Sequence, residues 1–182
     1  MIPSPLPDPL PLLQAASMDT VMAALVAVPQ ELRQQPGLQV VMLRDRRRLL
    51  LLESGALRQS FPVAIGMPGW ETPTGRFKVL QKIDKPVWEH PVSGDRVADQ
   101  SSYNFRRIHW IGFHRDCRGR DAHDGDQCIT IEGCTSTGFH GTPHRWTVVG
   151  RAVSHGCVRL LNENVHTLYG QVTVGTPVTV LP

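Results

Sequence analysis

LQVVMLRDRRRLLLLESGALRQSFPVAIG, residues 38–66, is the stretch that decides the fold class. It holds three apolar-rich runs: 38–43, 47–54 and 56–66. Arg44-Asp45-Arg46 separates the first two, and Ser54-Gly55 the last two. Short apolar runs rich in branched residues and bounded by turn signals read as strands rather than helices. The spacing predicts a β-meander, with the Arg44–Arg48 cluster on a solvated hairpin tip.

The same texture continues downstream. RFKVLQKI (76–83) alternates like one strand, and further strands are expected at 107–113, 128–132, 146–149, 171–174 and 176–182. Asn162 is expected to cap a short helix over 163–169 that ends at Gly170. Residues 84–106 are polar and read as a long loop, which in a compact domain is usually functional or mobile.

Upstream the chain differs. Prolines at 3, 5, 7, 9 and 11 forbid helix and favour an extended tail. From Asp19 to Ala27 a short helix is expected, capped by Asp19 or Thr20, with Val21, Leu25 and Val28 on one stripe. Pro29 and Pro36-Gly37 close this segment. The expected division is a Pro-rich tail with a packing helix over 1–36 and one domain over 38–182.

Composition agrees with a mostly β, loop-rich domain. Gly and Pro make up 31 of 182 residues, above the usual share of about 12%. The net charge is only +3, so a dominant nucleic-acid-binding field is not expected. The early apolar run Val21–Val28 is far shorter than the roughly 20 residues of a membrane helix. The first positive charge is Arg33, so the N-terminus does not read as a secretory signal.

The chemistry concentrates in Phe139-His140-Gly141-Thr142 and Val153-Ser154-His155-Gly156-Cys157-Val158-Arg159-Leu160. A free thiol is mostly protonated at neutral pH, and a neighbouring imidazole can take its proton to make a nucleophile. Gly156 permits a tight turn whose N–H groups could face a developing oxyanion. In an extended segment Arg159 would share a face with Cys157 and could clamp a carboxylate. His140 and His155 are both candidate bases, and pattern alone does not rank them.

These two segments, with Thr72-Pro73-Thr74-Gly75-Arg76-Phe77 upstream, resemble the signature of the L,D-transpeptidase catalytic domain, over about residues 38–182. The resemblance implies a β-sandwich or mixed β-sheet fold with one or two short helices. It implies Cys157 as nucleophile and His140 as general base, oriented by the Gly141 carbonyl. Ser154, His155 and Gly156 would shape the oxyanion site and cleft, while Arg159 and Thr142 would bind substrate. The implied partners are peptidoglycan stem peptides, donor and acceptor, joined by 3→3 cross-links through a thioester in the periplasm or cell wall. No cofactor, metal or nucleic acid is implied. An L,D-carboxypeptidase, another cysteine peptidase, and a non-catalytic peptidoglycan-binding or zinc-stabilised module are the alternatives.

One stretch departs from the pattern. His114, Cys117, His123, Cys128 and Cys134 lie in a polar insertion. It reads as a plain solvated loop, as a loop closed by a Cys117–Cys128 disulfide with Cys134 left over, or as a zinc site through His114, Cys117, His123 and Cys128. Zinc ranks last because Cys117 and Cys128 are too far apart for a zinc knuckle. The scattered aromatics Trp70, Trp88, Tyr103, Trp110 and Trp146 are expected mostly to pack the core.

Overall fold

The computed structural model describes residues 17–86, 88–89, 96–97, 109–124, 127–142 and 150–182. The described residues open with two helices, α1 (Met18–Ala27) and α2 (Gln30–Arg33). The expected meander follows as β1 (Leu38–Leu43), β2 (Arg48–Glu53) and β3 (Ala56–Pro62). Next come β4 (Ile65–Gly66), β5 (Gly75–Lys78), β6 (Gln81–Asp84), β7 (Trp88–Glu89) and β8 (Arg96–Val97). The second half holds β9 (His109–Asp116), β10 (Arg120–Asp124), β11 (Gln127–Ile131) and β12 (Thr135–Thr142). It ends with β13 (Ala152–Ser154), β14 (Val158–Leu161), α3 (Asn162–Gln171) and β15 (Pro177–Leu181).

Two open sheets carry the fold, ordered β3-β2-β1-β15-β5 and β14-β12-β9-β6. Side chains alternate across a strand, so β1 and β2 each feed two layers. Val40, Met42, Leu49 and Leu51 meet Ile111, Phe113, Phe139, Val158 and Leu160 of the second sheet, with Val165 and Leu168 of α3. Their neighbours Val41, Leu43, Leu50 and Leu52 point the other way, onto Ala24, Val28 and Leu32 of the N-terminal segment. This two-sided burial is why these strands read as continuous apolar runs. A buried Gln39 amide donating to the Leu32 carbonyl ties α2 to β1.

Several expectations shift. The Ser17 side chain, not Asp19 or Thr20, caps α1, and the buried stripe includes Ala24 in place of Val21. RFKVLQKI is two strands in different sheets. Val79 N–H donates to Thr176 O and Leu80 N–H to Gly112 O, so the chain changes sheet between β5 and β6. Asn162 lies inside α3, and Gly170 continues the helix rather than ending it. Residues 172–174 are not a strand: Val172 N–H returns to Leu168 O, and Thr173 and Thr176 close a turn with Gly175 at φ +94°. The expected strand at 146–149, the tail before 17 and most of 84–106 lie outside the described residues.

Burying a Val or Leu contributes about 1.5–3 kcal/mol. Removal of residues 1–36 uncovers Val41, Leu43, Leu50 and Leu52 and is expected to lower the urea midpoint sharply or cause aggregation. An unchanged midpoint would show that α1 and α2 do not contribute to stability.

Candidate active site

The site is built on β12 and its parallel neighbour β14. Their register sets Phe139 beside Val158, His140 beside Arg159 and Gly141 beside Leu160. Phe139 and Val158 are in the core, so His140 and Arg159 share the opposite face. Trp110 of β9 pairs with His140 on that face, with rings stacked at 6.2 Å.

His140 is buried, and its Nδ1 lies 2.8 Å from the Gly141 carbonyl oxygen. A carbonyl only accepts, so Nδ1 carries the hydrogen and the neutral ring has its lone pair on Nε2. Burial pushes the imidazole pKa down to about 4; the Gly141 carbonyl raises it in part and the Arg159 charge lowers it further.

Cys157 lies just before β14, in a turn where Gly156 has φ +109°. Its Sγ–H points at the Ser136 carbonyl, 3.8 Å away. Burial pushes the thiol pKa up, while the Gly138 backbone and the Arg159 guanidinium pull it down. A bulge between Thr137 and Gly138 breaks the β12–β9 ladder at this point, freeing backbone groups to face the sulfur. A side chain at 138 would strike the Ile111 carbonyl at 2.5 Å, so the strand needs glycine there.

The turn is fastened from two sides. Ser154 Oγ accepts from Gly156 N–H at 3.1 Å and donates to the Cys157 carbonyl. Thr72 Oγ1, fully buried, donates to the Gly156 carbonyl at 2.8 Å and accepts from Gly66 N–H at 3.0 Å. His155 does not lie on the strand face with His140. Its ring meets Trp70 edge-on, with centroids 4.6 Å apart. Arg159 is clasped through its backbone by Ala64, with both hydrogen bonds at 3.0 Å. Thr142 is buried, opposite Leu161 in the register and two residues on from His140 in β12.

The insertion is a separate two-stranded hairpin, β10–β11. The expected Cys117–Cys128 pairing is overturned: the disulfide joins Cys117 to Cys134, with Cα atoms 3.9 Å apart. The reason is the sheet. Asp116 and Thr135 are register partners, so the next residue outward on each strand meets the other. Cys128 is instead an exposed free thiol paired across the hairpin with His123. The disulfide removes Cys117 as a zinc thiolate, and the described residues hold no cluster of three or more metal-ligating groups.

Thr72 and Ser136 had no assigned role in the sequence, and Trp70, expected to pack the core, is buried as expected. Only the place of Thr72 in the 72–77 element marked it out. The contact of Ser136 depends on a bulge that no sequence pattern announces.

Residues 38–180 match the YkuD family, the L,D-transpeptidase catalytic domain. The chain belongs to the L,D-transpeptidase catalytic-domain family. It is 30% identical over 146 residues to the L,D-transpeptidase homologue YqjB of Bacillus subtilis, covering 80% of this chain and 72% of that one. It is 23% identical to L,D-transpeptidase 1 of Mycobacterium tuberculosis, covering 70% of this chain but only 44% of that protein. Among solved structures, L,D-transpeptidase 3 of Mycobacterium tuberculosis with a faropenem-derived adduct superposes with TM-score 0.58 at 20% identity, over 81% of this chain and 61% of that one. An L,D-transpeptidase from Stackebrandtia nassauensis gives TM-score 0.56 at 19% identity, over 90% and 65%. At these identities the structural likeness establishes the fold.

Two outcomes follow from the packing around His140. Its pKa is depressed on folding, so the unfolded chain takes up a proton that the folded chain refuses. Stability is therefore full above about pH 6.5 and falls as pH drops toward 4, by up to about 3 kcal/mol from this group. Buried His109, also depressed chiefly by desolvation, adds in the same sense. Urea unfolding at pH 7 and 4.5 measures the loss, and His140→Gln is expected to flatten it. Separately, a Cβ at Gly141 would lie 2.3 Å from Asn162 Oδ1 and 3.0 Å from Val165 Cγ1. Gly141→Ala is expected to lower stability by about 1–3 kcal/mol by displacing α3; an unchanged melting temperature would refute the close packing.

Proposed function

We propose that the protein is a cysteine L,D-transpeptidase acting on peptidoglycan stem tetrapeptides. The observation that carries this is the β12–β14 pairing, which sets a neutral imidazole with its proton held at Nδ1 beside the strand that starts immediately after Cys157.

In this reading Cys157 Sγ attacks the carbonyl of the third, diamino-acid residue of the donor stem, and His140 Nε2 takes the thiol proton. Burial holds the thiol and the imidazole in their neutral forms, so proton transfer accompanies the attack. The Arg159 cation favours negative charge on sulfur and oxygen as it develops. Gly156 N–H is engaged by Ser154, and in this reading the other turn amides, those of His155 and Cys157, serve the oxyanion. The tetrahedral intermediate collapses, the C–N bond to terminal D-alanine breaks, and His140 returns its proton to the leaving amine. The thioester then reacts with a side-chain amine of a second stem, forming the 3→3 amide bond and restoring the thiol. Water as acceptor would make the same site an L,D-carboxypeptidase.

The substrate implies an extracytoplasmic setting. The Cys117–Cys134 disulfide supports an oxidising compartment. No described helix is long and apolar enough to cross a membrane.

The test is D-alanine release from a disaccharide-tetrapeptide by wild type and Cys157→Ala. The variant is expected to be inactive; continued release would overturn the assignment. A carbapenem is expected to add one acyl group, and peptide mapping should place it on Cys157. In pH profiles, the acid limb of kcat/KM is expected near 4, where His140 gains its proton. A limb near 6.5 would show that the base is not this buried imidazole.

A further inference from the structure

Cys157 lies outside the strand ladder, and its turn rests on the segment 66–72. That segment meets the turn through Met67 N–H on the Ser154 carbonyl, through Thr72 on the Gly156 carbonyl and through the Trp70 ring on His155. Trp70 is buried, and the face that covers it comes from the insertion. Ala122 and Ile131 of the β10–β11 hairpin pack with it, and the Arg120 guanidinium carbon lies 4.8 Å from the indole centroid. A guanidinium over an aromatic face is attracted by the ring quadrupole, and more strongly where water is excluded. Arg120, Trp70 and His155 thus form a line of contacts that ends two residues from Cys157.

The hairpin that carries Arg120 pairs with neither large sheet. An isolated two-stranded hairpin is marginal in water, so its position depends on its anchors. One anchor is the contact with Trp70. The other is Cys117–Cys134, which closes the base of the hairpin three residues before Arg120 and three after Ile131, its register partner. Cys134 is also two residues from Ser136, whose carbonyl accepts from the Cys157 thiol.

We propose that Arg120, carried on the disulfide-closed hairpin, is a positioning residue for the Cys157 turn, acting through Trp70 and His155, and that opening the disulfide releases it. This rests on the reading of Cys157 as the nucleophile. A dithiol reductant opens the bridge by exchange: the S–S bond breaks, Cys117 and Cys134 become thiols, and the reductant closes to its own disulfide. Cys157 is already a thiol and is not altered by that reaction.

The experiment compares wild type, Arg120→Ala and Arg120→Lys, each with and without dithiothreitol. Two readouts are taken: tetrapeptide turnover, and the rate of iodoacetamide labelling at pH 7 read on the Cys157 peptide. Arg120→Ala is expected to lower kcat at least tenfold with KM within twofold. Its Cys157 is expected to label at least threefold faster, because a loosened turn exposes the thiol. Lysine keeps a cation over the ring and should restore kcat to within threefold of wild type. Reduction of wild type should reproduce both changes and add little in Arg120→Ala, since both act along one path. Unchanged kcat and labelling, a rise in KM alone, or failure of lysine to rescue would overturn the proposal. If Arg120→Ala does not fold, reduction of wild type decides, and unchanged turnover and labelling after reduction would overturn it. The labelling readout needs no substrate, so it remains decisive even if Cys157→Ala proves active and the transpeptidase reading fails.

Discussion

The parallel pairing of β12 with β14 is the constraint on which the rest of the structure depends. Parallel neighbours cannot be joined by a tight hairpin; the chain must leave the sheet and return in the same direction. Between Thr142 and Val158 it does so, and the return passes through β13 and the Ser154–Cys157 turn. Cys157, the proposed nucleophile, is therefore delivered at the point of re-entry, one residue before the ladder resumes. The same register fixes Arg159 opposite His140 and leads directly into α3, whose first residue packs against Gly141. Gly141 has two duties that only glycine meets together: its carbonyl holds His140 Nδ1, and its missing side chain leaves room for Asn162.

Burial then determines the electrostatic state of the site. The desolvated imidazole and thiol both favour their neutral forms, opposite in sense to a preformed thiolate–imidazolium pair. Arg159 lowers both pKa values: it opposes a charged His140 and favours a charged Cys157 sulfur. Its guanidinium is itself partly desolvated, which strengthens its field on the sulfur. One partly buried cation suffices for this, consistent with a chain of net charge only +3.

The centre of the first sheet was legible because β1 and β2 are buried on both sides and carry no competing helical period. Leu49–Leu52 cannot place four consecutive leucines on one helix face, and here they divide evenly between two cores. What escaped was set by contacts distant in sequence. RFKVLQKI reads as one alternating strand, yet Val79 N–H donates to the Thr176 carbonyl and Leu80 N–H to the Gly112 carbonyl, which divides it between two sheets. Residues 171–174 have strand composition, but the end of α3 and the Thr173–Thr176 turn consume them. At the site, the residues of the two short motifs were legible as chemistry, while the choice between His140 and His155 came only from family resemblance. The geometry supplies a physical reason for the difference. His140 has a carbonyl to orient its ring, whereas His155 presents its ring to Trp70.

The disulfide shows the same limit most clearly. Joining Cys117 to Cys128 would close a shorter loop than joining it to Cys134, which is what the expected pairing rested on. The chain instead leaves β9 after Asp116 and rejoins β12 at Thr135, two residues already paired across the sheet. An excursion that departs and returns at one rung must bring its two ends together. Cys117 and Cys134 are those ends, and the bond costs little further chain entropy because the sheet has already closed the loop. The bridge thus does little to bring the strands together. Its effect falls on the hairpin beyond it, which belongs to neither large sheet and covers Trp70 beside the Cys157 turn.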